Sequence, residues 1–502
     1  MNFNFRGVNR RALAISLLVL FQLAAVMLAL CFFARRFPPL EHALRLLKFF
    51  VALYIFSRDM PPSYKLAWIT LLLFAPRSGA VVYLIGGKMG FPRFFKRDFD
   101  ESPELGSKIN DNRQLFSKDD RFAAISVFLS RCTGMPPHEN TQCEFFPSGS
   151  SLFEKLCEQL QTAEKFIFME YFIISQGALW DRIEAILIER SHAGVEIRLL
   201  YDDAGSMNTL PHKFAKRLNA AGIKTAVFNR CRPHLNSAMN YRDHRKICVI
   251  DGNIGFCGGA NIADEYVNRL PRCAHWKDTG TMLHGEGVFN LTRLFLQLWN
   301  RASGENLSPE DFAPSENVLN DGVIQPFGDS PLDDLYVAES VCAMSAMRSN
   351  RYIYITTPYL IPDHETVSSL CRAAMAGVDV RIITPAVPDK WCVHLISRSN
   401  YPVLLRYGVK IYEYSPGFIH SKQLVCDDCF AMVGTANMDF RSFFLHFESA
   451  VCLFGCRAVE EVKRDIESTL ACCREINLSE AENIPLPQKL LLLFLKPFSP
   501  LF

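Results

Sequence analysis

The chain has 502 residues, enough for a membrane segment and two domains of ordinary size. Its formal net charge of +2 excludes a strongly basic surface built for nucleic acid as the bulk partner, while local basic clusters remain suited to anionic lipid headgroups. The 17 cysteines are odd in number and scattered, several of them inside apolar runs (Cys248, Cys342, Cys452), which is the pattern of reduced, buried thiols and not of a disulfide framework.

Residues 12–34 carry no charge, are bracketed by Arg10, Arg11, Arg35 and Arg36, and are long enough to cross a bilayer. The run is longer than the apolar region of a cleaved signal peptide, so a permanent anchor is expected. Residues 40–57 hold Glu41, His42, Arg45 and Lys48 in their first half and read as an interfacial amphipathic helix. A second span is expected over 66–85, with Trp68 and Tyr83 near its ends and a kink at Pro76-Arg77-Ser78-Gly79. Arginines before the first span and Lys88, Arg93, Lys96 and Arg97 after the second put both ends, and the rest of the chain, in the cytoplasm. A third span at 40–57 would put the rest on the other side. Residues 1–97 are thus expected to be a multi-pass anchor in the cytoplasmic (inner) membrane.

Residues 98–121 are polar and read as a linker. The remainder repeats itself. Strand-like openings at 166–174 and 352–361 are each followed by a stretch of helical period, and then by Ala193-Gly-Val-Glu-Ile-Arg-Leu-Leu200 and Ala376-Gly-Val-Asp-Val-Arg-Ile-Ile383. Strands alternating with helices predict a mixed, largely parallel α/β sheet in each half. The expected units are a first half at 122–304, a linker at 305–328, a second half at 329–478 and a tail at 479–502 whose apolar Lys489–Lys496 is too short to span.

Each half ends its repeat on the same motif. His244-Arg-Lys246-Ile-Cys-Val-Ile-Asp251 is followed by Gly258-Gly259-Ala-Asn261, and His420-Ser-Lys422-Gln-Leu-Val-Cys-Asp427 by Gly434-Thr435-Ala-Asn437. Both read H-x-K-x4-D-x6-G-[GT]-x-N. Alternation along a strand puts each His and Lys on one face. These residue types suit phosphoryl transfer: lysines and amides hold phosphodiester oxygens, one imidazole attacks phosphorus, and the other moves protons. Asp251 and Asp427 complete the motifs and are expected to hydrogen-bond at strand ends. Cys426-Asp-Asp-Cys429 has metal-like spacing but no matching pair, so core thiols beside a turn are expected.

The duplicated motif resembles that of the phospholipase D superfamily. Closer still, Gly258-Gly-Ala-Asn-Ile-Ala-Asp-Glu-Tyr266, Thr357-Pro-Tyr-Leu-Ile-Pro362 and Asn437-Met-Asp-Phe-Arg-Ser442 resemble flanks in the bacterial cardiolipin synthase family, as do Tyr64-Lys-Leu-Ala-Trp68, Pro76, Gly79 and Tyr83-Leu in the membrane segment. The resemblance implies two phospholipase-D-like halves forming a pseudo-dimer, and transfer of a phosphatidyl group between two phosphatidylglycerols to give cardiolipin and glycerol. It implies no cofactor and no metal; the partners are membrane phospholipids, not nucleic acid. It also implies a phosphohistidine, with Lys246, Lys422, Asn261, Asn437, Thr435 and Gly259 around the phosphate and Asp278 and Glu448 orienting the histidines. His446 stands where the family pattern leads one to expect Asn, and Arg77 is unexpected in a span. Hydrolysis by water, another acceptor alcohol, or phosphatidylethanolamine as donor or acceptor would use the same residues; a nuclease reading is disfavoured by the membrane segment and by the lack of a basic-aromatic stripe. The copies are equal in spacing, and the long loop 229–243 before His244 is the asymmetry that favours His244 as nucleophile and His420 as acid and base.

Overall fold

The structure, a computed structural model, describes residues 10–87, 112–117, 120–233, 237–332 and 335–501. Most of the expected linker at 98–121, with Lys88, Arg93, Lys96 and Arg97, lies outside the described residues.

Each half is built on one mixed sheet. In the first half the strands are β1 (Thr141–Phe146), β2 (Phe166–Tyr171), β3 (Glu196–Asp202), β4 (Lys224–Phe228), β5 (Arg242–Asp243), β6 (Lys246–Ile250), β7 (Ile254–Gly258), β8 (His275–Lys277) and β9 (Gly280–Gly285). The second half has β10 (Val323–Asp329), β11 (Tyr352–Thr356), β12 (Leu360–Ile361), β13 (Asp379–Pro385), β14 (Lys410–Tyr414), β15 (Gly417–Ile419), β16 (Gln423–Cys426), β17 (Phe430–Gly434), β18 (Met438–Asp439), β19 (His446–Phe454) and β20 (Cys473–Ile476). The first sheet runs β1-β9-β7-β6-β2-β3-β4 and the second β10-β19-β17-β16-β11-β13-β14-β20, the same order with one added edge strand.

The repeat seen in the sequence is thus a repeat of topology. β2-β3-β4 and β11-β13-β14 are parallel, joined through helices such as Ala178–His192 and His364–Met375. The other neighbours in those two orders pair antiparallel, so the sheets are mixed and not largely parallel as expected. The motif strands β6 and β16 lie antiparallel to β2 and β11 and turn back as the hairpins β6-β7 and β16-β17. β7 and β9 of the first sheet pack against β17 and β19 of the second, so one buried apolar cluster runs through both halves. The helix Ala123–Thr133, ahead of β1, packs on β10 and on the helix Val337–Arg348 of the second half.

The hairpin turns explain the motif aspartates. Asp251 and Asp427 take left-handed backbone at φ 53° and 52°. Asp251 accepts the backbone N–H of Glu164, Lys165 and Phe166 at 2.7–2.8 Å, and Asp427 those of Asn350, Arg351 and Tyr352 at 2.7–2.9 Å. Each carboxylate thus ties the end of its motif strand to the start of the central strand, where those donors would otherwise go unpaired. Cys429, in the turn after Asp427, is exposed and not a core thiol as expected; Cys426 is buried, and none of the 17 cysteines is in a disulfide.

Among the described residues, the N-terminal segment up to residue 87 forms four helices: α1 (Arg10–Arg36), α2 (Pro38–Ser57), α3 (Pro62–Phe74) and α4 (Gly79–Gly86). Among the described residues, the segment Leu13–Arg36 of α1 is the one helix long and apolar enough to cross a membrane. The expected second span is not one continuous helix. α3 has 13 residues and α4 eight, about 20 and 12 Å at the usual rise, each short of a hydrocarbon core of about 30 Å. The break falls at Ala75–Ser78, where Pro76 has no N–H to continue the ladder. Arg77, at this break, lies 3.6 Å from Glu41 of α2. Gly79 then lets α4 return close to α3, since a Cβ there would stand 3.0 Å from the Leu71 carbonyl oxygen.

Candidate active site

The two motifs meet because each half lends the other a strand. β5, just before His244, pairs in parallel with the start of β19, matching Arg242 to His446 and Asp243 to Phe447. β15, just before His420, pairs in parallel with β8, matching Phe418 to Trp276 and Ile419 to Lys277. The backbone N–H of His244 then donates to the Phe447 carbonyl at 2.9 Å, and that of His420 to the Lys277 carbonyl at 2.7 Å.

That pairing sets each imidazole against a carboxylate of the opposite half. His244 Nδ1 lies 3.0 and 2.9 Å from the two oxygens of Glu448. His420 Nδ1 lies 2.6 Å from Asp278 Oδ2. A carboxylate at Nδ1 fixes the tautomer with the proton there, leaving the Nε2 lone pair for chemistry. Both histidines are only 7% exposed. Burial, assisted by Lys246, pushes His244 well below the ordinary histidine range, and burial with Lys422 brings His420 down to about 4. Both shifts favour the neutral imidazole. Burial raises the Glu448 carboxyl, but the facing imidazole of His244 outweighs it and the group ends well below the ordinary carboxylate range.

The lysines complete the pocket. Lys246 Nζ donates to the His244 carbonyl at 2.5 Å and lies 5.6 Å from the centre of the Phe172 ring. Lys422 Nζ donates to the His420 carbonyl and lies 2.8 Å from His420 Nδ1. Burial lowers Lys246 to about 8 and Lys422 to about 7. Lys246 further lowers both Lys422 and His420, which places the two motifs in one electrostatic field. Two poorly solvated ammonium groups are costly by themselves and are relieved by an anion.

Other residues expected at the phosphate have different partners. Asn261 accepts from the Ile173 N–H at 2.9 Å and donates to the Tyr266 hydroxyl at 2.8 Å, so both ends of its amide are committed to the framework. Gly259 makes room for an orienting acid: a Cβ there would stand 2.2 Å from Asp278 Oδ1. Thr435 donates its hydroxyl to Glu448 and accepts the Ser449 N–H at 2.9 Å, bracing the acid instead of a phosphate. Asn437 donates to Asp439 Oδ2 at 3.1 Å, and its amide oxygen is buried without a partner among the described residues. Asp264, in the flank of the first motif, accepts the N–H groups of Ala178 and Leu179 and so caps the helix Ala178–His192.

The aromatic lining went unnoticed in the sequence. Phe172 packs on His244 at 5.1 Å between ring centres, and Tyr266, Trp276 and Phe418 surround His420 at 5.4, 5.2 and 5.9 Å. Their signal was available, since each falls in a strand-like run or a motif flank. His446 lies 5.3 Å from His244, ring to ring, and its Nδ1 is 3.6 Å from Glu448 Oε1. Ligand-type atoms of His244, His446 and Glu448 fall within 4.8 Å of one another. A dication there would have to displace the His244–Glu448 bond beside two buried lysines, and the donor set suits an anion better.

Residues 156–271 and 344–470 match the family model described as the phospholipase-D-like domain of cardiolipin synthase, one match per half. A cardiolipin synthase of Halalkalibacterium halodurans is 34% identical, over 86% of this chain and 88% of its own, and cardiolipin synthase 2 of Bacillus cereus is 35% identical over 86% and 85%. An uncharacterised protein of Streptococcus mutans is 39% identical over 89% and 99%. Among solved structures, phosphatidylserine synthase of Haemophilus influenzae overlays with a TM-score of 0.58 at 14% identity, covering 77% of this chain and all of that one, a likeness of fold. The chain belongs to the cardiolipin synthase family, enzymes of the phospholipase D superfamily built from two such halves.

Proposed function

We propose that the chain transfers a phosphatidyl group from one phosphatidylglycerol to the hydroxyl of another, through a phosphohistidine on His244. The observation that carries this reading is the crossed pairing of His244 with Glu448 and of His420 with Asp278. It gives two neutral imidazoles with free Nε2 lone pairs beside two lysines, the equipment for a two-step exchange at phosphorus.

The arriving phosphodiester anion offsets the lysine charges and raises the proton affinity of His420, which enters the reaction as imidazolium. His244 Nε2 donates its lone pair to phosphorus, the P–O bond to the headgroup glycerol breaks, and His420 delivers its Nε2 proton to the departing oxygen. Glycerol leaves. His420, now neutral, takes the proton of the acceptor phosphatidylglycerol hydroxyl. That oxygen attacks phosphorus, the P–N bond breaks, and the electron pair returns to His244. Lys246 and Lys422 neutralise the phosphoryl oxygens through both steps, and Glu448 balances the charge that develops on the His244 ring. The aromatic lining and burial limit water, so an alcohol is the better acceptor.

Support for His244 as nucleophile comes from its firmer hold: Glu448 grips Nδ1 with both oxygens and is itself braced by Thr435. We further propose that the catalytic part faces the cytoplasm, in keeping with cysteines that form no disulfide. Purified protein in phosphatidylglycerol vesicles containing chelator tests the reaction when glycerol, cardiolipin and phosphatidic acid are measured together. Equal amounts of glycerol and cardiolipin are expected. Phosphatidic acid as the main product would make the protein a hydrolase.

A further inference from the structure

The helix Leu486–Leu495 has a face that the described residues do not cover. Leu486, Leu490, Leu493 and Phe494 are 51–69% exposed. Their spacing, i, i+4, i+7 and i+8, is one stripe of an α-helix. Leu492, off that stripe, is buried in the same apolar cluster as Tyr64 and Leu72 of α3. The helix is thus docked on one side and bare on the other. At ten residues it reaches about 15 Å, half of a bilayer's hydrocarbon core.

Its neighbours present the same kind of surface. The 3-10 turn Lys496–Leu501 that follows it packs on α3 and on the short helix Phe440–Phe444. α3 exposes Leu66, Leu73 and Phe74, again one stripe. α3 in turn packs on α2, and α2 on α1, the helix long and apolar enough to cross a membrane. The bare faces therefore continue, element by element, from the membrane anchor. The same chain of contacts ends at the chemistry: Tyr64 of α3 meets Phe440 and Phe444 edge-on at 6.0 and 5.8 Å between centres, and Phe440 directly follows Asp439, the partner of Asn437.

We propose that the helix Leu486–Leu495 lies flat in the surface of an anionic bilayer, its apolar stripe among the acyl chains and the exposed Lys489 at phosphate level. With the exposed stripe of α3, it holds the second motif at headgroup depth. A bilayer fits better than a partner protein because the stripe is continuous with the anchor through α3, α2 and α1 and has Lys489 at its edge, while Lys496 is held by the Ser399 carbonyl. The kinetic part of this inference rests on the proposed lipid substrate; the depth part does not.

Two measurements on the full-length protein test it. In Phe494→Trp, emission in excess of the parent's five tryptophans is expected to be quenched by phosphatidylglycerol brominated on its acyl chains. In the double variant Leu490→Glu/Leu493→Glu, turnover of phosphatidylglycerol vesicles is expected to fall roughly tenfold, while turnover of a short-chain phosphatidylglycerol kept monomeric is unchanged. No added quenching would overturn the proposal, as would cross-linking of two copies through this helix. An equal fall on both substrates would mark the stripe as structural. Quenching without any cardiolipin formation would leave the inference standing and remove the proposed reaction.

Discussion

The surroundings of His244 and of His420 are built on one plan and differ in chemistry. Each histidine follows a strand lent to the other half, and each faces a carboxylate one position beyond the last pair of that register. At His420 the ring two residues before the acid is Trp276; at His244 the equivalent ring is His446. At Asp278 the glycine Gly259 leaves space for the acid, whereas at Glu448 the hydroxyl of Thr435 is bonded to it. One site is an aromatic cage around a singly held imidazole, and the other a polar clamp around a doubly held one. Duplication supplies two histidines, and divergence around them allows two roles.

The largest effect is expected from breaking the carboxylate partners. Glu448→Gln and Asp278→Asn should each lower turnover roughly 10³–10⁴-fold, since an amide keeps the shape but not the charge or the tautomer. An activated substrate separates them. With phosphatidyl-p-nitrophenol, whose leaving group needs no acid, Asp278→Asn should retain a burst of nitrophenol and Glu448→Gln should lose it. A burst in both variants would mean that the two histidines are not specialised.

Next in size are the lysines. Lys246→Ala and Lys422→Ala are each expected to cost about 10²–10³ in rate, as for other donors to a developing oxyanion. With Lys246 at about 8 and Lys422 at about 7, the charged forms are lost as pH rises. The profile of kcat/KM, which reports the free enzyme, should therefore steepen between these values, on top of the fall above about 4 set by the need for His420 as imidazolium. Lys422→Arg should move that limb upward. A profile without that steepening up to pH 9 would mean that the lysine charge is not needed.

The smallest effects concern the braces. Thr435→Ala removes a buried hydrogen bond and should cost about 1–2 kcal/mol of stability, with a modest loss of turnover. Gly259→Ala places a Cβ against Asp278 and should impair the His420 side alone, seen as slower use of phosphatidylglycerol with the nitrophenol burst intact. The reverse pattern would exchange the two roles.

The duplicated motif was legible because its signal is local: the types and gaps of His244–Asn261 recur in His420–Asn437, and β-period alternation suffices to pair each His with its Lys. The shared plan of strands and helices in the two halves followed from the same repetition; the order of the strands, with the motif hairpins antiparallel to β2 and β11, did not. The crossed partnership was not legible, because Asp278 and Glu448 follow the motifs of their own halves in the chain. Only the exchange of β5 and β15 between halves brings each to the other's histidine. The framework bonds of Asn261 were not legible for a related reason, since its partner Tyr266 is visible in the sequence but the turn that joins them is not. The interruption at Pro76-Arg77-Ser78-Gly79 was visible as a kink; that it divides the segment into two helices depends on the room that Gly79 leaves against α3.

The central claim, that the two histidines share one site but not one role, is tested most directly by trapping. Enzyme mixed with phosphatidylglycerol labelled in its phosphatidyl part is quenched rapidly without acid, digested, and the adduct located by mass spectrometry. The label is expected on the peptide bearing His244, absent in His244→Ala, and longer-lived in His420→Ala, where no base assists the acceptor. Label on the peptide bearing His420 that persists in His244→Ala would reverse the roles. No adduct at either histidine, with inversion at phosphorus, would contradict the covalent mechanism itself.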